Sequence, residues 1–303
     1  MEKKPKNNVN GFLLINKDPG WTSTHVVSKL KFLLNAKKAG HGGTLDPFAS
    51  GVIPIFFGEN TKFSRFFLDA YKSYEATVKL GFSSSTGDTE GDIKKDENFS
   101  ELRKSINSDF IQKILEHFKG NQEQKPPIYS ALKFKGNPYY EYARKGEEIP
   151  IKHRKIHIKE IGLISFKEDE IIFKVTCSKG TYVRTLGEDI AKKIGTKGYL
   201  TSLKRLKLGQ FDISNSISIA KIESIDLKKR LAQLSEVDRF IELEKLYLAE
   251  VEVRKICQGQ KINKSISDGE YLLYQSSDAE VKFIGIGEVL SKELIAKRLK
   301  KTN

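Results

Sequence analysis

The sequence is poor in cysteine and has no long hydrophobic runs. Its two cysteines, Cys177 and Cys257, lie far apart and form no Cys-x-x-Cys pair. This spacing argues against a disulfide framework and against a structural zinc site, and it fits a reducing cytoplasm. No apolar run is long enough to cross a membrane, and residues 1–10 form a basic, polar tail without the apolar core of a signal peptide. We therefore expect a cytoplasmic protein.

Acidic residues are outnumbered by basic ones. The chain has 39 Asp and Glu against 53 Lys and Arg, which gives a formal net charge of +14. Such an excess favours a polyanionic partner, nucleic acid above all. His153 and His157 could share a metal ion, but no cysteine or His-Glu-x-x-His context accompanies them, so we expect solvated or RNA-facing side chains and no metal site.

One carboxylate stands in an unusual setting. In the stretch His41–Gly51, Gly42 and Gly43 allow backbone angles that are closed to other residues, and Pro47 restricts Asp46 to extended conformations. The sequence therefore predicts a bent loop that presents Asp46 ahead of an apolar strand. A carboxylate held in this way suits a nucleophile or a general base, although a simple Asp-Pro turn would also place an aspartate here.

Periodicity predicts the secondary structure. Helical spacing indicates a helix after Thr22 or Ser23, which would cap it, and an amphipathic helix over 110–118. The small, polar residues 83–92 are typical of a surface loop. Alternation of apolar and polar residues predicts strands over 72–80 and 171–177, and the apolar run 11–16 predicts a short buried strand. Further strands are predicted over 156–166 and, between glycine turns, over 253–259, 271–274 and 281–289.

Three further segments carry candidate functional side chains. Tyr74 lies on the apolar face of its strand, where an ordinary core aromatic would also lie. Residues 124–146 interleave cations and tyrosines, a mixture that suits unpaired RNA but also occurs in solvated loops. Residues 178–189 read as a strand end, a glycine turn and a helix, which places Arg184 in the first turns of that helix.

The order of these motifs along the chain resembles that of the bacterial tRNA pseudouridine(55) synthases. The matching segments are Gly40–Pro47 for the catalytic motif, Lys72–Tyr74 for the second motif, Cys177–Thr185 for the third, 126–146 for a tRNA-gripping insertion, Leu203–Leu206 for a later active-site element and Phe283–Val289 for the end of a PUA domain.

The resemblance implies an α+β fold with two domains. A mixed, largely antiparallel sheet with flanking helices would form a catalytic domain over residues 11–240, after the basic tail 1–10. An RNA-gripping insertion would occupy about 99–152. A small, β-rich PUA-like domain would follow over 241–303.

The resemblance also implies a reaction, in which uridine 55 of the tRNA T-loop is flipped out and its uracil is detached, rotated and rejoined through carbon. Asp46 would be the catalytic residue, without a cofactor, and Arg184 would pair with it and lower its pKa. Tyr74 would stack on the uracil, Leu203 would close the apolar side of the pocket, and His41 would fill the space that the base leaves. Lys179 and Tyr182 are further candidates for substrate binding, and the candidate tRNA contacts are Lys17, Tyr129, Lys133, Arg144 and Arg205.

Three alternatives stay open at this point. A tRNA chaperone would use the same basic surface without catalysis, and a carboxylate-dependent RNA N-glycosylase would release free uracil. A sister synthase that acts on ribosomal or guide-directed RNA would share these motifs. We expect a monomer without a protein partner, because the sequence shows no coiled-coil heptads and no long apolar stripe.

Overall fold

A computed structural model describes residues 6–276 and 281–301, so part of the predicted tail, residues 1–5, and residues 277–280 and 302–303 of the predicted C-terminal domain lie outside the described residues. The strands are β1 Gly11–Lys17, β2 Ala39–His41, β3 Ser50–Phe57, β4 Lys72–Leu80, β5 Phe82–Ser84, β6 Ile93–Lys95, β7 Gly120–Gln124, β8 Lys133–Phe134, β9 Asn137–Pro138, β10 Arg154–Lys167, β11 Glu170–Cys177, β12 Gly198–Leu208, β13 Phe211–Asp212, β14 Ile217–Ser218, β15 Glu244–Leu248, β16 Ile262–Asn263, β17 Gly269–Ser276, β18 Val281–Leu290 and β19 Glu293–Leu299.

Short helices connect these strands. The α-helices are α1 Ser23–Leu33, α2 Arg65–Leu68, α3 Phe99–Arg103, α4 Ser108–Glu116, α5 Tyr139–Lys145, α6 Val183–Ile194, α7 Ile219–Glu223, α8 Leu227–Ala232 and α9 Glu250–Cys257. Three 3-10 helices lie at Gly58–Phe63, Ile213–Asn215 and Val237–Phe240. In the described parts of the chain, no helix is both long and apolar enough to span a membrane.

A ten-stranded mixed sheet forms the body of the molecule. Its order is β14-β1-β3-β12-β4-β11-β10-β7, with β2 beside β3 and β13 beside β12. Pairing is antiparallel except between β1 and β14 and between β3 and β12. The parallel contact sets Gly51 beside Arg205, and Arg205 in turn lies opposite Tyr74 of β4. The loop that carries Asp46 is thereby brought to the middle of the sheet.

Local sequence explains most of these elements. Alternate residues of β4 are buried, as the strand pattern predicts. Thr22 caps α1 by accepting a hydrogen bond from the His25 amide at 3.0 Å. Helix α4 buries Ile111 and Leu115 against the sheet. Within the predicted insertion, α4 packs on the main sheet and β7 pairs with β10. The segment after Gln124, with β8, β9 and α5, takes no part in the pairing of the main sheet.

The C-terminal domain is a five-stranded sheet in the order β15-β17-β18-β19-β16, covered by α9. The predicted strand over 253–259 is wrong, because most of this segment belongs to α9. Val253 and Ile256 are buried three positions apart, which is the spacing of one helix face. The helix start is capped by the Glu252 carboxylate, which accepts a hydrogen bond from the Ala249 amide at 3.0 Å.

The two sheets share a hydrophobic core, which we call the aromatic seam. Across it the rings of Phe63 and Phe283 lie 5.4 Å apart, and the Tyr274 hydroxyl donates to the Asp238 carboxylate at 2.6 Å. The seam consists of Phe12, Val52, Phe56, Phe63, Phe67, Leu208, Phe211, Val237, Ile241, Leu272, Tyr274, Phe283 and Ile286.

Candidate active site

Two buried cations hold the loop that carries Asp46, and Lys17 is the first. Its ammonium group donates to the backbone carbonyls of Asp18 at 3.0 Å, Trp21 at 2.7 Å and Pro47 at 3.1 Å. Burial lowers the pKa of Lys17 to about 8, and the nearby Asp46 opposes that shift. Lys17 therefore ties the end of β1 to the far side of the loop.

Arg205 is the second of these cations, and it holds the near side. Its guanidinium donates from Nε to the Val52 carbonyl at 2.8 Å, from Nη1 to Thr44 at 3.3 Å and from Nη2 to Gly43 at 3.1 Å. Gly51 makes the approach of β3 to β12 possible, because a Cβ at this position would collide with the backbone of Arg205.

Lys17 and Arg205 are buried rather than exposed at the surface, and their role as tRNA contacts stays a prediction. Their exposed fractions are 0% and 1%, and their hydrogen-bond donors are directed at backbone carbonyls. A basic residue in a sequence does not reveal whether it meets solvent or carbonyls, because those carbonyls come from segments distant along the chain.

Asp46 and Arg184 form the predicted ion pair. Arg184, at the start of α6, donates from Nε to Asp46 Oδ2 at 2.9 Å. Its other nitrogens donate to the Thr86 carbonyl and the Tyr129 carbonyl, both at 2.8 Å. Arg184 is buried, whereas the Asp46 side chain keeps 33% of its surface exposed. The guanidinium thus fixes the carboxylate from behind and leaves it open to a substrate.

Asp88 is a site residue that sequence reasoning missed. Its carboxylate lies 3.4 Å from Arg184 Nη1 and is 3% exposed, although the polar stretch around it predicts a surface loop. The hydroxyl of Thr86 and the amide of Glu90 donate to it and fix its orientation. No local pattern identifies Asp88. Its burial depends on Arg184, which is distant along the chain and donates to the carbonyl of Thr86, 98 residues before it. One guanidinium therefore serves two carboxylates.

The environment of Asp46 disfavours its charge. Burial raises the pKa of this carboxyl above its ordinary value, and Asp88 adds to the rise, while Arg184 and Lys17 oppose it. The sequence predicts that Arg184 lowers the pKa of Asp46. The lowering contribution is present, but desolvation outweighs it. A poorly solvated carboxylate that is aimed by a cation is suited to nucleophilic or basic chemistry.

A cavity of about 330 Å³, here called the Tyr74 cavity, opens beside Asp46. Tyr74 and Leu203 are almost completely buried and give it an apolar wall. Burial raises the pKa of Tyr74 to about 12, so the phenol is neutral at ordinary pH. The structure thus brings most of the predicted substrate-binding residues to one cavity, namely Asp46, Tyr74, Lys179, Tyr182, Arg184 and Leu203.

A second cavity of about 490 Å³, here called the His41 cavity, lies on the other side of Asp46. Tyr129 and Arg144 from the segment after β7 line it together with His41, so two predicted tRNA contacts and the predicted space-filling residue lie together. Burial and the nearby Arg205 lower the pKa of His41, which is therefore neutral at neutral pH. Lys133 is exposed on β8 and lines neither cavity.

Comparison with known proteins agrees with this geometry. Residues 31–183 match the family described as "TruB family pseudouridylate synthase (N terminal domain)", and residues 245–299 match "Pseudouridine synthase II TruB, C-terminal". A protein named tRNA pseudouridine synthase B from Francisella philomiragia is 40% identical over 299 residues, which cover 98% of this chain and 96% of that one. Its namesake from Psychrobacter arcticus is 45% identical over 261 residues, 84% of this chain and 68% of that one.

The fold is also shared with a solved structure. A chain from the "Crystal Structure of a Cbf5-Nop10-Gar1 Complex" superposes with a TM-score of 0.69 at 23% identity, and the match covers 96% of this chain and 84% of that one. Fold and sequence matches together define a pseudouridine synthase, which is an isomerase. Within that class, the chain belongs to the TruB family of pseudouridylate synthases. The family and the α+β fold with a PUA-like C-terminal domain that the sequence predicts are confirmed.

Proposed function

We propose that this protein converts uridine 55 in the T-loop of tRNA to pseudouridine and that Asp46 is its catalytic residue. Relatives named tRNA pseudouridine synthase B match nearly the whole chain. The observation that carries the residue assignment is the Asp46–Arg184 pair at 2.9 Å, because it presents a carboxylate that is one-third exposed between two cavities.

The Tyr74 cavity is suited to hold the base. A flipped uridine would place its glycosidic bond beside Asp46 and its ring between Tyr74 and Leu203, which are 8% and 6% exposed. A flat apolar wall retains a detached uracil by stacking while the base turns over. In the reaction the C1′–N1 bond breaks, a C1′–C5 bond forms, the C5 hydrogen leaves as a proton to solvent and N1 gains a proton. No oxidant or reductant is consumed, so we propose a carboxylate and no cofactor.

The His41 cavity is suited to hold the rest of the loop. Flipping a base out of a folded RNA costs a few kcal/mol, and a side chain that fills the vacated space offsets part of that. His41 is half-buried and neutral, so it can enter a stacked, apolar environment without carrying charge. We place it as a positioning residue, with Tyr129 and Arg144 facing the RNA backbone from the same cavity.

The proposal also covers the oligomeric state, the compartment and the partner of the enzyme. We infer a stand-alone, monomeric enzyme of the cytoplasm whose partner is the T-arm of tRNA. The exposed cations after β7 supply positive charge next to the His41 cavity, and Arg144 lies over the Tyr140 ring at 5.4 Å. Such pairs of cations and rings recur where proteins bind unpaired RNA.

The test uses an unmodified tRNA transcript that carries tritium at uridine C5. Wild-type protein is expected to release one tritium per tRNA while the base stays in the chain, and Asp46→Asn is expected to release none but still bind tRNA. Asp109→Asn, an exposed position in α4, is the matched control and should behave as wild type. Release of free uracil would identify a glycosylase, and binding without tritium release by the wild type would leave an RNA-binding protein.

A further inference from the structure

An aromatic pair outside the catalytic machinery lies next to residues that line the Tyr74 cavity. Tyr71 directly precedes β4 and is 42% exposed, which is unusual for a large ring next to a core strand. Its hydroxyl lies 3.0 Å from Nδ1 of His157 on β10, and the two rings meet edge to face with centroids 6.0 Å apart. The pair therefore presents a fixed ring to solvent.

Backbone hydrogen bonds hold both partners in place. The Tyr71 carbonyl accepts from the Gly209 amide at 2.8 Å. The His157 amide donates to the Ser178 hydroxyl at 2.8 Å, and the Ser178 amide donates back to the His157 carbonyl at 2.9 Å. Ser178 itself lines the Tyr74 cavity, so the pair is anchored to the wall of the active site. A ring that is held before binding loses little entropy when it takes up a ligand.

The charge around the pair fits an RNA strand. Lys179 lines the same cavity and its side chain is 64% exposed, although it pairs with Asp69 at 2.8 Å. Arg154 is exposed on β10, three residues before His157, and its Nη1 approaches the turn at Gly180. Cations next to an exposed ring form the arrangement with which proteins grip unpaired nucleotides, the cations near phosphates and the ring on a base.

We propose that the Tyr71–His157 pair stacks on an unpaired base of the RNA substrate that neighbours the uridine in the Tyr74 cavity. Lys72, which follows Tyr71, and Ser178, which is hydrogen bonded to His157, both line the Tyr74 cavity, so the pair adjoins the wall of that cavity. This inference rests on the proposed function, because that function supplies the RNA. It adds a second recognition site, which reads a neighbour of the target rather than the target itself.

The first test compares the affinity of three variants for a T-arm hairpin RNA. Loss of a stacking ring typically weakens single-strand binding about fivefold or more, so Tyr71→Ala should raise the Kd by at least that factor. Tyr71→Phe keeps the ring and should bind within about twofold of wild type, a change well under 1 kcal/mol. Phe32→Ala, at a 79% exposed ring near the end of α1, is the control and should leave the Kd unchanged. Unaltered binding by Tyr71→Ala would overturn the proposal.

The second test locates the base by a double-mutant cycle. Hairpins with a single abasic nucleotide at each loop position are bound to wild type and to Tyr71→Ala. At the position that stacks on Tyr71, the losses of binding free energy from the abasic nucleotide and from Tyr71→Ala should not be additive. At the other positions these two losses should be additive. Additive losses at every position would overturn the proposal.

Tritium release by the wild type reports separately on the proposed function. If the wild type binds the hairpin and shows the coupling but releases no tritium, the proposed function fails and the stacking site stands. If the wild type converts the uridine and no coupling appears, the stacking site fails alone. Absence of RNA binding by the wild type would overturn both.

Discussion

The protein uses its cations in two ways, and the buried set around Asp46 differs sharply from the exposed set after β7. Lys17, Arg184 and Arg205 are at most 4% exposed, and each donates to backbone carbonyls of loops that build the site. Lys133 and Arg144 are exposed on a segment apart from the main sheet. Each of these residues adds one positive charge to the net charge of +14, whether it is buried or exposed. Net charge therefore indicates the class of partner but not the residues that contact it.

The two sets of cations act differently because one is removed from solvent and the other is not. A buried cation is tolerated only when its donors are satisfied, and removing it leaves its acceptors without partners. An exposed cation contributes little to folding but attracts a polyanion in proportion to the counterions released. Substitution in the two sets should therefore produce opposite profiles of stability and affinity.

The largest effect is expected for Arg205→Met. The buried carbonyl of Val52 and the partly buried carbonyls of Thr44 and Gly43 would lose their donor. A buried acceptor left without a partner costs about 1 to 3 kcal/mol, so the free energy of unfolding should fall by about that amount or more. Urea unfolding measures this, and Arg205→Lys, which keeps the charge but fewer hydrogen bonds, should be intermediate. If Arg205→Met folds as stably as wild type and instead loses tRNA affinity, Arg205 is an RNA contact and the distinction between the sets fails.

A smaller effect, of opposite sign, is expected for Asp46→Asn. The pKa of Asp46 is raised in the folded protein, so its ionised form lowers the free energy of unfolding at neutral pH. The asparagine variant carries no such charge, and Arg184 retains Asp88 as a partner. Asp46→Asn should therefore melt at a higher temperature than wild type at pH 7. The difference should shrink as the pH falls through the raised pKa toward 3.8, the ordinary value for Asp.

Thermal melts across pH measure this difference, with Asp109→Asn as the control that should follow the wild type throughout. A variant that is less stable than wild type at pH 7 would show that the ion pair with Arg184 outweighs the desolvation of Asp46. The buried site would then stabilise the fold rather than strain it.

The smallest effects are expected for Lys133→Ala and Arg144→Ala. Each should weaken tRNA binding severalfold and reduce the slope of log affinity against log salt by about 0.7 to 0.9 per lost phosphate contact. Stability should stay within about 0.5 kcal/mol of wild type, because both side chains are exposed. Lys228→Ala, at an exposed position on α8, should change neither quantity. An unchanged salt slope in both variants would remove the segment after β7 from the RNA interface.

Local patterns predicted much of the fold. The alternation in β4, the Thr22 cap of α1 and the strands β10 and β11 follow from neighbouring residues alone. The pattern around 253–259 led to a wrong prediction, because Val251 and Val253 alternate with charged residues as in a strand. The capping carboxylate of Glu252 and the burial of Ile256 decide for a helix, and that burial depends on the sheet beneath.

The site was less accessible to local reasoning. Asp46 could be singled out from its glycines and proline, but its pairing with Arg184 rested on the resemblance to a family. Asp88 was not predicted as a site residue, because the residues around it are polar and small. None of its neighbours in the sequence indicates the guanidinium of Arg184, with which it pairs. For the same reason, the sequence did not predict that Lys17 and Arg205 hold the loop that carries Asp46. Their carbonyl partners depend on how the loops fold.

The aromatic seam bears on the predicted domain boundary at 240/241. That boundary treats the C-terminal sheet as separable, yet Phe63 packs on Phe283 and the Lys62 ammonium donates to the Leu299 carbonyl at 2.8 Å. Removal of the C-terminal sheet would expose apolar side chains whose burial contributes roughly 1.5 to 3 kcal/mol each. A shortened chain should therefore lose stability as well as RNA affinity.

The two sides of the aromatic seam are also synthesised at different times. Phe63 emerges from the ribosome early, but Phe283, whose ring packs on it, comes much later in the chain. At roughly 5 to 20 residues per second, the gap lasts on the order of ten seconds or more. Throughout that interval this face of the nascent protein lacks its packing partner from the C-terminal sheet.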